Sequence, residues 1–226
     1  VVATVWLLAR HVAGPLIGLL AAAAAAVYPN LWLIDGLLYP EGLMTGLVVL
    51  CVYMAYRWRE RPSWAAAAAI GALIALAALA RGEGVLLGGL LAMPLMLRQR
   101  DLSWMRRWQH LVLAGVTCLV VLAPWVVRNT AKFEHFVPLS NNGNEVMVYA
   151  NCATAYDGPL AGYWDFQCQQ KVRNEIGEIP GDESEVALYW RDLGFDYARE
   201  HASELPRVVA LRVLRQFELF RPLQNV

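Results

Sequence analysis

The sequence predicts an all-α multi-pass membrane helical bundle with a smaller mixed extracytoplasmic segment. Hydrophobic residues make up 58% of the 226 residues, charged residues only 17%, and the mean hydropathy is +0.39, which does not fit a soluble protein. Long uncharged stretches alternate with small charged clusters. The charge balance also changes along the chain: residues 1–128 hold ten Lys or Arg and five Asp or Glu, whereas residues 129–226 hold nine and fourteen.

The first 128 residues contain a partial span at residues 1–9 and five complete spans. The first complete span, 12–34, has 23 residues without a charge, enough to cross a hydrocarbon core of about 30 Å at ~1.5 Å per residue. Two later stretches have only 15 and 14 residues and, taken alone, would also suit buried or re-entrant helices. The alternation of charged clusters favours five crossings, at about residues 12–34, 42–56, 62–80, 84–97 and 108–127.

The arginines indicate an orientation for these spans. Every second loop is rich in arginine, and the positive-inside rule places such loops in the cytoplasm. The remaining loops and the segment that follows Arg128 would then face the outside of the plasma membrane. Alanine runs and glycines, including Gly71, Gly88 and Gly89, predict close packing between the helices. The arginine-rich loops hold Arg10, Arg57, Arg59, Arg61, Arg98, Arg100, Arg106 and Arg107.

An acidic extracytoplasmic segment is predicted at residues 129–206, with 13 Asp or Glu against five Lys or Arg. It is too long for a turn between spans. The stretch SNNGNE at 140–145 predicts a tight Asn-Gly turn between two short strands or extended arms. Apolar spacing over 183–204 predicts an amphipathic helix that ends before Pro206. Residues 207–226 predict an amphipathic interfacial helix that leads to a further span.

Cysteine and histidine spacing limits the chemistry. Cys152 and Cys168 both lie in the acidic segment, where an oxidising environment would let them pair and contribute ~3 kcal/mol; two unpaired thiols are the alternative. Cys51 and Cys118 lie in spans and are read as small apolar residues. The histidines show no metal-ligand spacing, so no metal site is predicted. Phosphate-binding loops and dinucleotide motifs are missing from the sequence, and a net charge of zero argues against nucleic acid.

Four ionisable residues lie at the outer ends of predicted spans, and Asp35 lies in the same first outer loop. Ionisable groups at a membrane are costly, so their position is a functional clue. Two arginines that face one cavity would suit a lipid-linked phosphate, because the guanidinium fork matches phosphate oxygens. The positions also have ordinary structural explanations. The two glutamates would be stabilised by the positive ends of helices. The two arginines would extend toward lipid headgroups. The four residues are Glu41, Arg81, Glu83 and Arg128.

Five motifs, in order, resemble those of the bacterial protein O-mannosyltransferase and aminoarabinose-transferase type, within the C-type superfamily of membrane glycosyltransferases. The resemblance covers nearly the whole chain, and each motif alone is only moderately specific. The motifs read YPEGLM at the start of a span, ALARGEGVLL between two spans, APWVVRN at the end of a span, FVPLSNNGNEVMVYAN outside, and YAREHASELPRVVALRVLRQF near the end of the chain.

The resemblance implies transfer of a sugar from a polyprenyl-phosphate carrier to an acceptor protein or glycolipid on the extracytoplasmic face. The catalytic acidic residue of such enzymes lies in the first outer loop, which would precede Val1, so it is unassigned here and residues 1–226 alone are expected to be inactive. A divalent metal is compatible with the resemblance. Arg81 and Arg128 would contact the lipid phosphate, and Glu41 and Glu83 would orient them. Residues at the outer mouth would be Asn129, Asn141, Gly143 and Asn144.

Other functions remain open at this point. A polysaccharide polymerase or ligase with a polyprenyl-linked donor would also need arginines at the outer face, and residues upstream of Val1 would distinguish the two. A transporter or flippase would be expected to show internal repeats and polar groups at mid-membrane, which the sequence does not contain. A structural membrane subunit would leave the outer charges and the acidic segment unexplained. The Asn-Gly stretch also has two interpretations: it forms either an ordinary surface turn or part of a mouth that binds sugar hydroxyls.

Overall fold

The computed structural model describes residues 1–36 and 39–222, with only the backbone described at 34–36. All regular elements in these ranges are helical, and no strand occurs there. The chain forms two units, Val1–Arg128 and Asn129–Val226. The helical fold agrees with the sequence prediction for the first unit. The expected mixed character of the later segment is wrong for the described residues.

The first unit begins with three short helices. They are α1 (Val2–Ala13), α2 (Pro15–Val27) and α3 (Pro29–Gly36). Gly14 has φ of 90° between α1 and α2, and Tyr28 is extended before Pro29. Proline lacks a backbone N–H and disfavours a helical conformation at the preceding residue. Residues 12–34, predicted as one span, are therefore divided among α1, α2 and α3.

Longer helices follow and form the core of this unit. They are α4 (Pro40–Glu60) and α5 (Trp64–Ala80), then a 3₁₀ turn (Gly82–Val85), a π-helical turn (Gly88–Ala92), α6 (Met93–Leu97) and α7 (Trp104–Lys132). The Ser63 side chain caps α5 by accepting a hydrogen bond from the Ala66 amide. A buried hydrogen bond of 2.9 Å from Trp58 Nε1 to His110 Nδ1 joins α4 to α7. The core contains Cys51, Trp58, Ile70, Ile74, Met96 and Ala114.

One close contact fixes the packing of α5 against α7. A Cβ atom on Gly71 would lie 2.0 Å from the backbone oxygen of Ala114, so only glycine permits this approach. Gly88 and Gly89 behave differently, because a Cβ atom at either position would meet nothing within 4 Å. Of the three glycines that predict close helix packing, Gly71 lies in a close helix contact, whereas Gly88 and Gly89 border open space.

Helix length gives one membrane-spanning candidate in the described part of the chain. By length and composition α7 could cross a membrane, and only 11% of its apolar window is buried. Four further apolar helices are shorter: Val2–Ala13, Pro15–Val27, Trp64–Ala80 and Gly82–Leu97. The five crossings expected from the sequence remain a proposal.

Up to residue 222, the second unit contains five helices after the end of α7. They are α8 (Asn142–Ala150), α9 (Ala153–Tyr156), α10 (Gln167–Ile176), α11 (Glu183–Glu200) and α12 (Leu205–Gln216). The predicted Asn-Gly turn between strands is wrong, since Asn141 is the N-cap of α8 and Gly143 lies in its first turn. Apolar alternation over five residues did not distinguish a strand from a short helix.

A capping box and one close contact organise this unit. Asp182 caps α11 in a capping box with Glu185. Hydrogen bonds from the Ser184 side chain and from the Glu134 amide lower the pKa of Asp182 to about 2, so its carboxylate stays ionised at neutral pH. A Cβ atom on Gly194 would lie 2.3 Å from the Met147 backbone, so α8 and α11 pack closely. Residue Pro206 lies in the first turn of α12, where its missing N–H costs nothing.

Cys152 and Cys168 form a disulfide that links the residue before α9 to α10. The two residues are 16 positions apart in the sequence. Closing a loop of this size restricts the unfolded chain and stabilises the folded unit by ~3 kcal/mol on the chain-entropy model.

Candidate functional site

Arg81 joins two carboxylates at one end of the first unit. Its Nη1 donates to Glu41 Oε1. Its Nη2 donates to Glu83 Oε1 at 3.3 Å, and its Nε donates to Glu83 Oε2 at 3.5 Å. We call these three residues the Arg81 cluster. The structure thus brings together three of the four residues that the sequence assigns to the lipid phosphate.

Local sequence places Glu41 at this end. Pro40 favours the first turn of α4, and Tyr39 before it is extended. Glu41 therefore lies in the first helical turn, where the partial positive charge of the helix N-terminus stabilises a carboxylate by about 0.3–1 kcal/mol.

The turn after α5 positions the other two residues. Arg81 is extended, with φ of −150° and ψ of 131°, and its carbonyl accepts a hydrogen bond of 2.8 Å from the Gly84 amide. A Cβ atom on Gly84 would lie 2.4 Å from the backbone carbon of Ala77. Only glycine lets this turn fold back onto the last turn of α5, and the fold-back sets the position of Glu83 beside the Arg81 guanidinium.

The cluster is half exposed, which limits its contribution to stability. The exposed side-chain fractions are 41% for Arg81, 40% for Glu41 and 63% for Glu83. Ion pairs at such positions contribute about 0–1 kcal/mol each. The backbone amide of Glu83 itself and the Arg81 guanidinium lower the pKa of the Glu83 carboxyl, so it stays ionised. The carboxylates therefore orient the guanidinium more than they stabilise the fold.

Hydrogen-bonding capacity is left over in the cluster. A guanidinium has five N–H groups, and its three contacts within the described part of the chain use one from each nitrogen, which leaves two. The buried oxygen Oε2 of Glu41 has no hydrogen-bond partner among residues 1–36 and 39–222. A ligand with acceptor groups, such as a phosphate, would complement the two remaining N–H groups.

An apolar groove of about 460 Å³ lies in the same unit. Its wall includes Val85, two residues after Glu83 in the sequence, together with Ile74 of α5 and residues of 88–93 and α7. The missing side chains of Gly88 and Gly89 open it. Such a groove suits a hydrocarbon chain. The lining residues also include Ala92, Met93, Leu111, Leu119 and Leu122.

Arg128 lies near the end of α7, with its guanidinium 5.2 Å from the centre of the Trp125 ring. From the contact between Gly71 and Ala114, both helices run toward the end that carries the Arg81 cluster. Arg81 lies ten residues beyond Gly71, and Arg128 lies fourteen beyond Ala114, about 15 and 21 Å at the helical rise of ~1.5 Å per residue. Arg128 and the cluster therefore belong to the same end of the first unit.

The predicted outer-mouth residues belong to the second unit. Asn129 is only 1% exposed, and its side chain donates a hydrogen bond of 3.0 Å to the Val137 carbonyl, which links α7 to the chain that follows it. Asn141 occupies the N-cap position of α8, and Gly143 and Asn144 lie in its first turn. The side chain of Asp35 lies outside the described residues.

The sequence analysis missed the groove and the free carboxylate oxygen. It assigned Gly88 and Gly89 to helix contacts, although two adjacent glycines shortly after a charged pair could also have indicated a cavity. As to metals, the described residues contain no group of three or more His, Cys, Asp or Glu able to hold an ion. Two carboxylates that already bind a guanidinium do not fit a metal site.

A protein-family model matches the first unit. The model of the family described as dolichyl-phosphate-mannose-protein mannosyltransferase matches residues 1–127, which include the whole Arg81 cluster and end one residue before Arg128. No curated protein and no solved structure matches the chain. The family match supports a membrane glycosyltransferase of the mannosyltransferase type. Because it covers more than half of the chain, this protein belongs to the dolichyl-phosphate-mannose-protein mannosyltransferase family.

Proposed function

We propose that this protein transfers a sugar from a polyprenyl-phosphate carrier to an acceptor on the extracytoplasmic face of the plasma membrane. The observation that carries the proposal is that one unit holds both the Arg81 cluster and an apolar groove, whose wall includes Val85, two residues after Glu83. A donor of this class has a phosphate at one end of a long hydrocarbon chain, and the two features would take one part each.

The phosphate would bind to the two N–H groups of Arg81 that the carboxylates leave free. Arginine suits this role because its planar fork donates to two phosphate oxygens at once. Glu41 and Glu83 hold the fork in place, which reduces the conformational entropy that binding would otherwise cost.

The charge of the cluster requires a second cation. One guanidinium and two carboxylates sum to a single negative charge, which repels a phosphate. Arg128, at the same end of the unit, would supply the missing positive charge. This is the physical reason for keeping both arginines in the donor site, as the sequence alone suggested.

The polyprenyl chain would lie in the groove whose wall includes Val85. Each buried methylene contributes about 0.8 kcal/mol when it leaves water, but a lipid chain is already in the bilayer, so the groove contributes position more than affinity. It directs the phosphate end of the donor toward Arg81.

The proposed reaction is a single displacement at the anomeric carbon. The acceptor oxygen forms a bond to that carbon while the bond from carbon to the phosphate oxygen breaks, and polyprenyl phosphate leaves with the electron pair. Arg81 and Arg128 stabilise the charge that develops on the departing phosphate. A carboxylate, which the family resemblance implies but which is not assigned to a residue here, takes the acceptor proton.

The donor class can be tested with the full-length protein in proteoliposomes. We expect labelled sugar to move covalently to an acceptor when the donor is a polyprenyl-phosphate sugar. A nucleotide sugar should give no product, because it has no hydrocarbon chain to occupy the apolar groove. Sugar that crosses the bilayer without forming a new bond would instead support a transporter, and product from a nucleotide sugar would contradict the proposed donor.

A further inference from the structure

We propose that the other end of the first unit binds an anionic phospholipid, with its headgroup among Arg59, Arg98 and Arg100. This site is separate from the donor site and goes beyond the proposed transfer reaction. It rests on a cavity, on its charge, and on the residues that surround it.

The cavity has a volume of about 670 Å³ and is lined by both charged and apolar residues. The three arginines of the lining lie at the end of α4 and after α6. The apolar part of the lining comes from the π-helical turn and α6. A phospholipid combines the same two features, a charged headgroup and hydrocarbon. The apolar part of the lining contains Leu90, Leu91, Pro94 and Leu95.

The cavity lies a membrane thickness away from the Arg81 cluster. α4 carries Glu41 in its first turn and Arg59 in its last. These residues are 18 positions apart, which is about 27 Å along a helix and close to the ~30 Å of a hydrocarbon core. If the Arg81 cluster contacts the headgroups of one leaflet, the cavity reaches those of the other.

Tryptophans mark the same end as an interface. Trp64, Trp104 and Trp108 are exposed at the start of α5 and of α7. Trp104 and Trp108 pack edge to face with ring centres 5.7 Å apart, and the Arg106 guanidinium lies 5.7 Å from the centre of the Trp64 ring. Exposed tryptophans next to arginines are typical of the boundary between hydrocarbon and headgroups.

The arginines of the cavity are available to a ligand. Within residues 1–36 and 39–222, none of the three guanidiniums takes part in an ion pair. Asp101 is the one acidic residue among the lining residues, which leaves a net charge of +2 around the cavity. A positive cavity between membrane helices attracts an anionic headgroup.

The backbone around the cavity is held in place without a ligand. The buried Gln99 side chain donates a hydrogen bond of 2.8 Å from Nε2 to the Arg59 carbonyl, which ties the loop to the end of α4. Arg107 donates to the carbonyls of Leu97 and Leu102, at 3.0 and 2.9 Å, and so closes the end of α6. A preformed site loses less entropy on binding.

The apolar part of the lining favours a lipid over a soluble anion. A free phosphate would contact the arginines but leave the leucines and the proline exposed. An anionic phospholipid would contact both the charged and the apolar residues, and a zwitterionic lipid would bring a positive group toward the arginines. We therefore commit to an anionic phospholipid, with phosphatidylglycerol as the probe.

The test measures lipid retained by the full-length protein in native mass spectrometry, after exchange into mixed vesicles of phosphatidylglycerol and phosphatidylcholine. We expect the triple variant R59Q/R98Q/R100Q to lose about tenfold or more of its preference for phosphatidylglycerol. The matched control R57Q/R61Q/R106Q removes the same charge at the same end but outside this cavity, and should stay within about twofold of the parent. Glycerol phosphate in solution should not compete.

Three results would overturn the site. They are equal retention by the two triple variants, no preference for the anionic lipid in the parent protein, and full competition by glycerol phosphate, which would mean a soluble anion. Thermal unfolding in phosphatidylcholine alone shows whether both variants fold. If the R59Q/R98Q/R100Q variant does not fold, the single change Arg98→Gln should still lower the preference relative to Arg106→Gln, and equality of these two would contradict the proposal.

Discussion

Alanine in place of Arg81 is expected to lower turnover of a polyprenyl-phosphate sugar by at least about tenfold, equivalent to ~1.4 kcal/mol of transition-state stabilisation. The physical reason is that Arg81 has two N–H groups free for the phosphate and that both carboxylates of the cluster hold it in position. We expect a loss of similar size for Arg128→Ala, since a cluster of net charge −1 needs a second cation. Initial rates with the full-length protein in proteoliposomes measure both.

Two further variants make this result specific. Arg81→Lys keeps the charge but loses the fork, so its turnover should lie between those of the parent and of Arg81→Ala. Arg106→Ala removes an arginine at the opposite end of the first unit and should leave turnover unchanged. Unchanged turnover in Arg81→Ala would remove the phosphate role of that residue, whatever the result at Arg128.

Alanine in place of Gly71 is expected to destabilise the first unit more than any substitution on its exposed faces. The new Cβ atom would lie 2.0 Å from the Ala114 oxygen, and backbone atoms of Ala114 are also the next nearest, at 2.8 and 2.9 Å. No side chain can rotate away from this overlap, so α5 and α7 must separate. Overpacking of this kind costs about 1–3 kcal/mol and occasionally more, and valine should cost more than alanine.

The matched control for this effect is Gly115→Ala on α7. A Cβ atom on Gly115 would meet nothing within 4 Å, although the residue is the direct neighbour of Ala114. Alanine there should be neutral or slightly stabilising, because it has a higher helix propensity than glycine. Thermal unfolding in detergent should rank Gly71→Val below Gly71→Ala and both below the parent. Equal midpoints for Gly71→Ala and Gly115→Ala would contradict the close approach of the two helices.

Charge position was the feature of the site that sequence could predict. Glu41, Arg81 and Glu83 interrupt apolar stretches, and such interruptions occur where a helix ends, so their common location follows from the order of the helices. Distances could not be predicted, because the pairing of Arg81 with both carboxylates depends on the turn at Gly84, which folds back onto α5.

Apolar composition alone did not predict where helices break. Residues 12–34 have no charge, yet proline and glycine divide them into separate helices. The stretch SNNGNE has the composition of a turn but begins α8, whose packing against α11 at Gly194 prevails over local preference. The sequence also does not predict the partner of a buried polar side chain. Only the structure shows that the buried Asn129 amide donates a hydrogen bond to a backbone carbonyl.

Direct binding of polyprenyl phosphate to the full-length protein tests the central claim without any contribution from the acceptor or the catalytic base. We predict that Arg81→Gln weakens this binding by at least about tenfold, and that Arg106→Gln binds as the parent does. Equal dissociation constants for the parent and Arg81→Gln would contradict the assignment of the Arg81 cluster to the lipid phosphate.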